Sequence, residues 1–338
     1  MKIVIAPQAF KGSISALEAA KAAERGALKT FPKAEIVICP VADGGDGTLE
    51  TLVESSSGQI KSITVKGPTG KQTKAAWGAM GDGNTAVIEM ARTSGLALLE
   101  LEELDPLNAT TYGLGEVISE ALAQGFRKFI LGIGGSATND AGAGMAQALG
   151  VSLLDKNGLE LTGGGGSLER LHSIDLSKID PRISESVFLV ACDVNNPLTG
   201  PEGASAIYGP QKGATPELVY QLDNALSVFA KIVEQKFGRD ISNIPGAGAA
   251  GGVGAGMMAF LNGELRSGVD IILETVSLDS KLESADLVIT GEGGLDYQTI
   301  YDKAPIGVAR MAKKRGIPTI AISGMLGRDF HVVHDYGI

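Results

Sequence analysis

The sequence predicts an α/β protein with two domains, in which a discontinuous, Rossmann- or flavodoxin-like parallel-sheet domain carries an inserted second α/β domain. Short, wholly apolar runs alternate with helical patterns near both ends of the chain, as in a parallel sheet covered on both faces. Between the ends, shorter strands separated by turn signals interrupt this alternation. We therefore expect residues 1–61 and 286–338 to form one domain and residues 62–285 the other.

The N-terminal part of the chain shows the order strand, loop, helix twice. The apolar run at 3–6 predicts a buried strand, and Ser15 with Glu18 three residues later has the form of a capping box that starts an alanine-rich helix. A second apolar run at 35–39 predicts another strand, and the glycine-rich loop at 42–47 leads into a second helix. This order is typical of a parallel α/β sheet.

The middle of the chain begins with short strands between residues 62 and 89, and strands and helices then alternate again. The remaining predicted elements are strands at 129–133, 187–191, 286–290 and 318–322, and helices at 112–123, 139–149, 216–237, 249–261 and 305–314. No covering helix follows the last strand, so we expect either an exposed sheet edge or a sequence that belongs to a longer chain.

Composition and charge exclude several classes of function. With 338 residues and 44% hydrophobic residues the chain can bury a core. The net charge of −10 repels phosphate backbones, and no uninterrupted apolar window is long enough to span a membrane, so neither nucleic acid nor a membrane is an expected partner. Cys39 and Cys192 lie far apart, which argues against a disulfide framework. Without a signal-peptide pattern, we expect a cytoplasmic enzyme or binding protein, a monomer or a homodimer.

Small polar and acidic residues follow the predicted strands. Open parallel sheets bind ligands beyond the carboxyl ends of their strands, so these residues are candidates for a binding site. They are Lys11, Asp43, Gly44, Gly45, Gly134, Gly135, Ser136, Asn139, Asp140, Asp193, Asn195, Glu292 and Asp296. Carboxylates, a lysine and glycine-rich loops are what phosphoryl transfer with Mg²⁺ requires, although each acid taken alone is more often a cap or a turn residue.

The loop GIGGSATND at 132–140 has almost no side-chain bulk before its polar residues. A bare loop lets backbone N–H groups approach an anion, and the start of the following helix favours negative charge. In the alternative interpretation Gly134 and Gly135 only form a tight turn, while Asp140 caps the helix instead of holding a metal. Lys212, in YGPQKGA, could contact phosphate or be a solvated turn lysine.

Other nucleotide-binding patterns are absent or weak. The sequence contains no Walker A motif, which excludes a P-loop enzyme. The glycines at 246, 248 and 251 match the dinucleotide pattern, but no strand is predicted before them. We therefore expect these glycines to serve close helix packing rather than a nicotinamide cofactor.

Seven stretches of the chain together match one protein family. In chain order they are AP with FKGS at 6–13, ADGGDGT at 42–48, GIGGSATND at 132–140, CDVNNPLTG at 192–200, YGPQKGA at 208–214, PGAGAAGG at 245–252, and GEG with KAPIGVA at 291–309. With these stretches the chain resembles the bacterial glycerate kinases of the glycerate 2-kinase type. The resemblance implies ATP-dependent phosphorylation of D-glycerate to 2-phosphoglycerate with Mg²⁺, in a cleft between two α/β domains.

The resemblance also suggests roles for particular residues. It places most of the candidates named above in the cleft. We expect Asp193 to ligate the metal or to orient the acceptor hydroxyl, and Lys11 with the loop at 134–140 to offset charge on the phosphoryl oxygens.

The chain departs from the family pattern at several of these positions. Gln8 and Ala9 stand where the family has Asp and Ser, Gly294 stands where it has Arg, and Leu104 also replaces a usual Arg. Losing an Arg contact to a substrate carboxylate would cost about 2–5 kcal/mol. A second hypothesis is therefore a catalytically weakened homologue that keeps a cleft for glycerate and nucleotide.

Overall fold

The protein is described by a computed structural model that covers residues 1–45, 47–301 and 303–338. The strands in these ranges are β1 (Lys2–Pro7), β2 (Glu35–Ile38), β3 (Gln59–Lys66), β4 (Gln72–Ala79), β5 (Thr85–Glu89), β6 (Lys128–Gly132), β7 (Ser152–Leu154), β8 (Ser173–Asp175), β9 (Val187–Ala191), β10 (Glu264–Arg266), β11 (Leu287–Leu295) and β12 (Thr319–Leu326). The helices are α1 (Ala16–Thr30), α2 (Thr48–Ser55), α3 (Ala91–Ser94), α4 (Tyr112–Ala123), α5 (Ala143–Ala148), α6 (Ala204–Tyr208), α7 (Pro216–Phe237), α8 (Ala249–Leu261), α9 (Gly268–Thr275), α10 (Leu278–Lys281) and α11 (Ala304–Lys314). Within the described ranges, no helix combines the length and the hydropathy needed to cross a membrane.

The two ends of the chain form one compact unit of residues 1–59, 80–82 and 267–338. Its sheet has the strand order β12-β11-β1-β2, and all three pairings are parallel. The apolar run that predicted β1 is inaccessible to solvent. At the edge, β12 exposes Ile320, Ile322 and Met325. The unit is thus the parallel α/β arrangement that the strand–loop–helix order predicts.

Helix α1 begins as the sequence predicts. The Ser15 hydroxyl accepts a hydrogen bond from the Glu18 backbone N–H, and the Glu18 carboxylate accepts one from the Ser15 backbone N–H. Both bonds satisfy N–H groups that a helix start otherwise leaves unpaired. The capping box therefore fixes where the chain turns from the loop after β1 into α1.

Residues 60–79 and 83–266 form a second compact unit. Its main sheet has the order β10-β9-β6-β5-β4-β3, with parallel pairing from β10 to β5 and an antiparallel pairing of β5 with β4. Phe129 and Phe188 stack in its core with ring centroids 4.6 Å apart. The antiparallel pairing lies in the region where the sequence predicts short strands, and the parallel part follows where strands and helices alternate.

Residues 267–285 belong to the unit formed by the chain ends. They carry α9, which packs against α11 so closely that a Cβ on Gly307 would overlap Val269. The sequence pattern instead predicts these residues in the inserted domain at 62–285. The predicted domain boundaries, after residue 61 and before residue 286, stay a prediction.

Several elements differ from their predicted bounds, among them the strand predicted at 318–322, which continues to Leu326 as β12. The helix predicted from residue 139 begins at Ala143, because Ala141 and Gly142 have φ values of +51° and +72° that a helix does not accept. The strand predicted to end at residue 290 continues to Leu295, which pairs with Leu326 of β12. Glu292 and the two glycines after it therefore lie in a strand and not in a loop.

Helices α4 and α5 approach each other through a glycine. A Cβ on Gly115 would overlap the Met145 carbonyl oxygen and lie 2.7 Å from Ala148 Cβ. Overpacking of this kind destabilises proteins by about 1–3 kcal/mol.

We predict that Gly115→Ala lowers the free energy of unfolding by about 1–3 kcal/mol, measured by urea denaturation followed by circular dichroism. The matched control is Gly26→Ala in α1, where a Cβ meets nothing within 4 Å. This control removes a flexible residue from a helix and raises stability by up to about 1 kcal/mol. Equal stability of Gly115→Ala and the wild type would contradict the close approach of α4 and α5.

Candidate active site

In the unit formed by the chain ends, the carboxyl end of β1 carries a buried amide. Gln8 is 5% exposed, and its Nε2 donates a hydrogen bond to Asp43 Oδ2 over 2.8 Å. The other oxygen of Asp43 accepts from the Gly45 backbone N–H at 3.1 Å. Gln8 Oε1 is buried and has no hydrogen-bond partner among the described residues.

A buried carboxylate lies at the carboxyl end of β11 in the same unit. Glu292 accepts a hydrogen bond from Thr299 Oγ1 at 3.3 Å and lies 3.8 Å from Lys303 Nζ. Burial raises the pKa of Glu292, and the negative charges of Asp43 and Asp296 act in the same direction, against Lys303 and Thr299. The strand ends thus concentrate negative charge beside one lysine.

The other candidates in this unit lie around these carboxylates. Lys11 is exposed, and its backbone N lies beside Gly293, where a Cβ would be 3.7 Å away. Gly44 follows Asp43 with a φ of +91°. Asp296 caps the turn after β11 by accepting from the Gln298 backbone N–H at 2.8 Å. Asp46, another acid of the glycine-rich loop at 42–47, lies outside the described residues.

In the second unit, β6 ends in an exposed glycine turn. Gly134 and Gly135 are both exposed, and Gly135 has a φ of +71°. The Gly135 carbonyl accepts from the Leu96 N–H at 2.9 Å, and the Ala137 N–H donates to the Ser94 carbonyl at 2.9 Å. The N–H groups of both glycines donate to no acceptor in the described part of the chain, so they are available to an anion.

Directly after this turn the chain is buried. Asp140 is inaccessible to solvent and accepts hydrogen bonds from the backbone N–H and hydroxyl of Thr111, both at 2.9 Å, and from the N–H groups of Gly142 and Gly144. Burial raises its pKa and these bonds lower it. Asp140 therefore caps the start of α5, which is the role that the alternative interpretation gave it in place of holding a metal. Since α5 begins only at Ala143, the helix start expected directly behind the glycines is not there.

Two polar side chains in the buried part of the loop keep unpaired atoms. Asn139 Nδ2 donates to Ser205 Oγ at 3.0 Å, whereas Asn139 Oδ1 and Thr138 Oγ1 have no partner among the described residues. Gly251, at the kinked start of α8, lies so close that a Cβ would overlap the Thr138 carbonyl oxygen. Gly251 at the start of α8 thus serves close packing.

Lys212 lies beneath the same loop. It is 1% exposed, and its Nζ donates to Ser136 Oγ at 2.8 Å and to the Thr138 carbonyl at 2.7 Å. Burial lowers the pKa of Lys212 to about 7, although Asp140 acts to raise it. The interpretation of Lys212 as a solvated turn lysine is wrong, because its ammonium group is enclosed by the loop.

The loop after β9 leaves the same edge of the sheet as the glycine turn. Ala191, the last residue of β9, pairs in parallel with Gly132, the last residue of β6. Asp193 and Asn195 follow β9 and are exposed. Burial raises the pKa of Cys192, and the charge of the adjacent Asp193 raises it further. The register therefore brings an exposed carboxylate to the strand next to the glycine turn.

A third polar group at this edge, Glu89, is not among the residues predicted from the sequence. Glu89 is the last residue of β5, pairs with Gly132, and is 5% exposed. Its Oε2 accepts from Arg92 Nε at 2.5 Å. The available signal in the sequence was a carboxylate at the end of an apolar run, followed by an Arg three residues later. It became informative only once the strand order placed β5 beside β6.

The described residues contain no group of three or more His, Cys, Asp or Glu side chains arranged to hold a metal ion. A preformed all-protein cage is thus absent from this part of the chain. Mg²⁺ commonly needs no such cage, because it takes one or two carboxylates and fills its other positions with phosphate oxygens and water.

Comparison with known proteins leads to one family. The model of the Glycerate kinase family matches residues 3–338. Curated relatives include the Glycerate 2-kinase of Escherichia coli K12, 52% identical over 100% of this chain and 89% of the relative, and the Glycerate kinase of Bacillus subtilis 168, 52% identical over 100% and 88%. The crystal structure of a "putative glycerate kinase 2" from Salmonella typhimurium LT2 matches with a TM-score of 0.93 at 46% identity, over 100% of this chain and 94% of that chain. This match confirms the predicted α/β fold class.

The burial of Lys212 makes the free energy of unfolding depend on pH. Its pKa is about 7 in the folded protein and about 10.5 in an unfolded chain, so between these values the unfolded state binds one more proton. Stability therefore rises with pH in this window, by at most about 1.4 kcal/mol per pH unit from this group. Below the folded pKa both states are protonated, and the contribution is constant.

We expect the free energy of unfolding of the wild type, minus that of Lys212→Met, to increase between about pH 7 and pH 9 and to be flat near pH 5.5. Urea unfolding of both proteins at each pH measures this difference. A difference that stays constant or falls above pH 7 would show that Lys212 is not buried as an ionisable group.

Proposed function

Because the chain belongs to the glycerate kinase family, we propose that it transfers the γ-phosphoryl group of ATP to the 2-hydroxyl of D-glycerate, giving 2-phosphoglycerate and ADP. The family predicted from seven sequence stretches is confirmed by the match over residues 3–338. The hypothesis of a weakened homologue is not supported, because relatives about half identical over the whole chain are named glycerate kinases.

The observation that carries the proposal is the exposed Gly134–Gly135 turn next to Asp193. The turn offers unpaired N–H groups to phosphoryl oxygens, and Asp193 follows the neighbouring strand. Phosphoryl transfer needs such positioning and charge stabilisation more than covalent chemistry from the protein. In the proposed step the substrate hydroxyl oxygen bonds to the γ-phosphorus, the bond to the β–γ bridging oxygen breaks, and the hydroxyl proton leaves to Asp193 or to water.

We assign the remaining groups by their chemistry. Asp193 is the residue that would hold Mg²⁺, a role its exposed carboxylate fits, and the ion would supply neutralisation of phosphate charge. Lys11 is an exposed cation suited to offset charge on phosphoryl oxygens. Of the positions that depart from the family pattern, Gln8 donates a hydrogen bond to Asp43, and Gly294 lies in β11.

Three further points belong to this proposal. The partners are ATP and D-glycerate, and the location is the cytoplasm, which the free thiols of Cys39 and Cys192 favour. A monomer or homodimer stays a prediction, as does the expectation that the active site lies in a cleft between two domains.

An assay with enolase as the coupling enzyme tests the reaction and the position of phosphorylation. Enolase converts 2-phosphoglycerate directly to phosphoenolpyruvate, which absorbs in the ultraviolet, and does not act on the 3-isomer. We expect absorbance to rise with ATP, Mg²⁺ and D-glycerate and not when ATP or D-glycerate is omitted. A signal that appears only after a phosphoglycerate mutase is added would overturn the 2-position, and no signal in either case would overturn the kinase.

We predict that Asp193→Asn lowers kcat by at least about 100-fold in this assay, because the amide neither carries the charge that attracts a metal nor accepts the hydroxyl proton. The matched control is Asp155→Asn, since Asp155 lies in an exposed turn and accepts from the Asn157 and Leu159 backbone. The control should keep the wild-type rate. A kcat of Asp193→Asn within about threefold of wild type would remove Asp193 from the mechanism.

A further inference from the structure

We propose that Lys212 is a positioning residue, which holds the Gly134–Gly135 turn in its phosphate-binding shape without touching the ligand. The proposal rests on the function assigned above to that turn. Lys212 comes from a different part of the chain, the short turn before α7, and reaches the loop 76 residues earlier in the sequence. It therefore acts as a cross-link between two segments.

The cross-link acts on the residues that directly follow the turn. Lys212 Nζ donates to the side chain of Ser136 at 2.8 Å and to the main chain of Thr138 at 2.7 Å. Ser136 is the residue after Gly135, so one hydrogen bond separates the ammonium group from the end of the turn. Fixing both a side-chain and a main-chain oxygen restricts the loop more than either contact alone.

The turn is also held by two main-chain hydrogen bonds to a neighbouring segment. The Leu96 N–H donates to the Gly135 carbonyl, and the Ala137 N–H donates to the Ser94 carbonyl. These bonds align the loop with the segment at 94–96, but they leave the Ser136 side chain and the Thr138 carbonyl to Lys212. Glycines have wide conformational freedom, so a turn of two exposed glycines needs anchors on both sides to keep one shape.

No obvious substitute for Lys212 exists in the described structure. Gly251 packs against the Thr138 carbonyl with no room for a Cβ, so this oxygen has little freedom to find another donor. Without Lys212, both acceptors would be buried and unpaired, an expensive state. Asp140 is the charged group in the described ranges that acts on Lys212, and its carboxylate is already held by four donors.

Burying a lysine costs more free energy than filling the same volume with an apolar side chain. Apolar residues of similar volume generally stabilise a core as well as or better than a buried charge. A lysine that served only packing would therefore be replaceable by Met with little effect on ligand affinity. A lysine that shapes the turn must instead change the binding of phosphate groups when it is replaced.

The test compares Lys212→Met with the wild type by titration calorimetry with Mg-ADP and by the enolase-coupled assay. We expect the Kd for ADP and the KM for ATP to rise about 10- to 100-fold, the loss associated with hydrogen bonds from a charged group. The KM for D-glycerate should stay within about twofold. This split between the two substrates separates positioning from a general loss of structure, which would affect both substrates.

Two further variants keep the test decisive. Ser136→Ala removes one acceptor with little change in volume and should raise the same constants by a smaller factor, even if Lys212→Met does not fold. Lys178→Met, an exposed lysine in the same unit, is the matched control and should behave as wild type. Melting temperatures of all three show that the variants are folded.

The outcomes distinguish the two proposals. An active wild type whose ATP and ADP constants change less than about threefold in both Lys212→Met and Ser136→Ala overturns the positioning role alone. A wild type that binds ADP but does not phosphorylate glycerate overturns the proposed function, while reduced ADP binding by Lys212→Met still supports the positioning role. A wild type that binds no ADP overturns both.

Discussion

Parallel strand pairing is the constraint on which the candidate site depends. In a parallel sheet all carboxyl ends lie at one edge, so the residues after each strand must share that edge. Gly132 pairs with Ala191 on one side and with Glu89 on the other, which fixes the neighbours of the glycine turn. In the unit formed by the chain ends, the same pairing brings the residues after β1 next to those in β11. The chemistry therefore follows from the sheet and not from one motif.

The candidate site also depends on glycines, which have no side chain, at the points where α8 meets the loop after β6. Gly251 meets the Thr138 carbonyl and Gly256 meets the Ala141 carbonyl with no room for a Cβ. The loop at 138–142 is thus enclosed by backbone from α8, which keeps its polar groups away from water. Enclosure of this kind strengthens each hydrogen bond in the loop and raises the cost of each unpaired atom. It also explains why a glycine pattern that resembles a dinucleotide motif occurs without a strand before it.

Local pattern was sufficient to predict the elements whose bounds are set by local chemistry. Helices α4 and α7 have the predicted bounds, because turn residues and an apolar stripe mark both ends. Helix α8 ends at Leu261 as predicted, but Ala250, Gly251 and Gly252 near its start have positive φ values that a helix does not accept. The length of β11 was not predictable, since the strand continues only while β12 pairs with it. For the same reason the burial of Lys212 could not be predicted, because its partners lie 74 and 76 residues away. Local sequence pattern thus predicted helix bounds, but not the burial of a side chain whose partners are distant in the chain.

In the second unit, the residues that offer N–H groups are not the residues that fix the conformation of the loop. The exposed glycines offer N–H groups but cannot fix their own conformation. Asp140 and Lys212 are buried, and burial shifts the pKa of each toward its neutral form, up for the acid and down for the base. Such shifts mean that folding is opposed by the desolvation of both groups. Retaining both groups at this cost is understandable if the hydrogen bonds they make determine the shape of a turn that must stay bare to admit a phosphate.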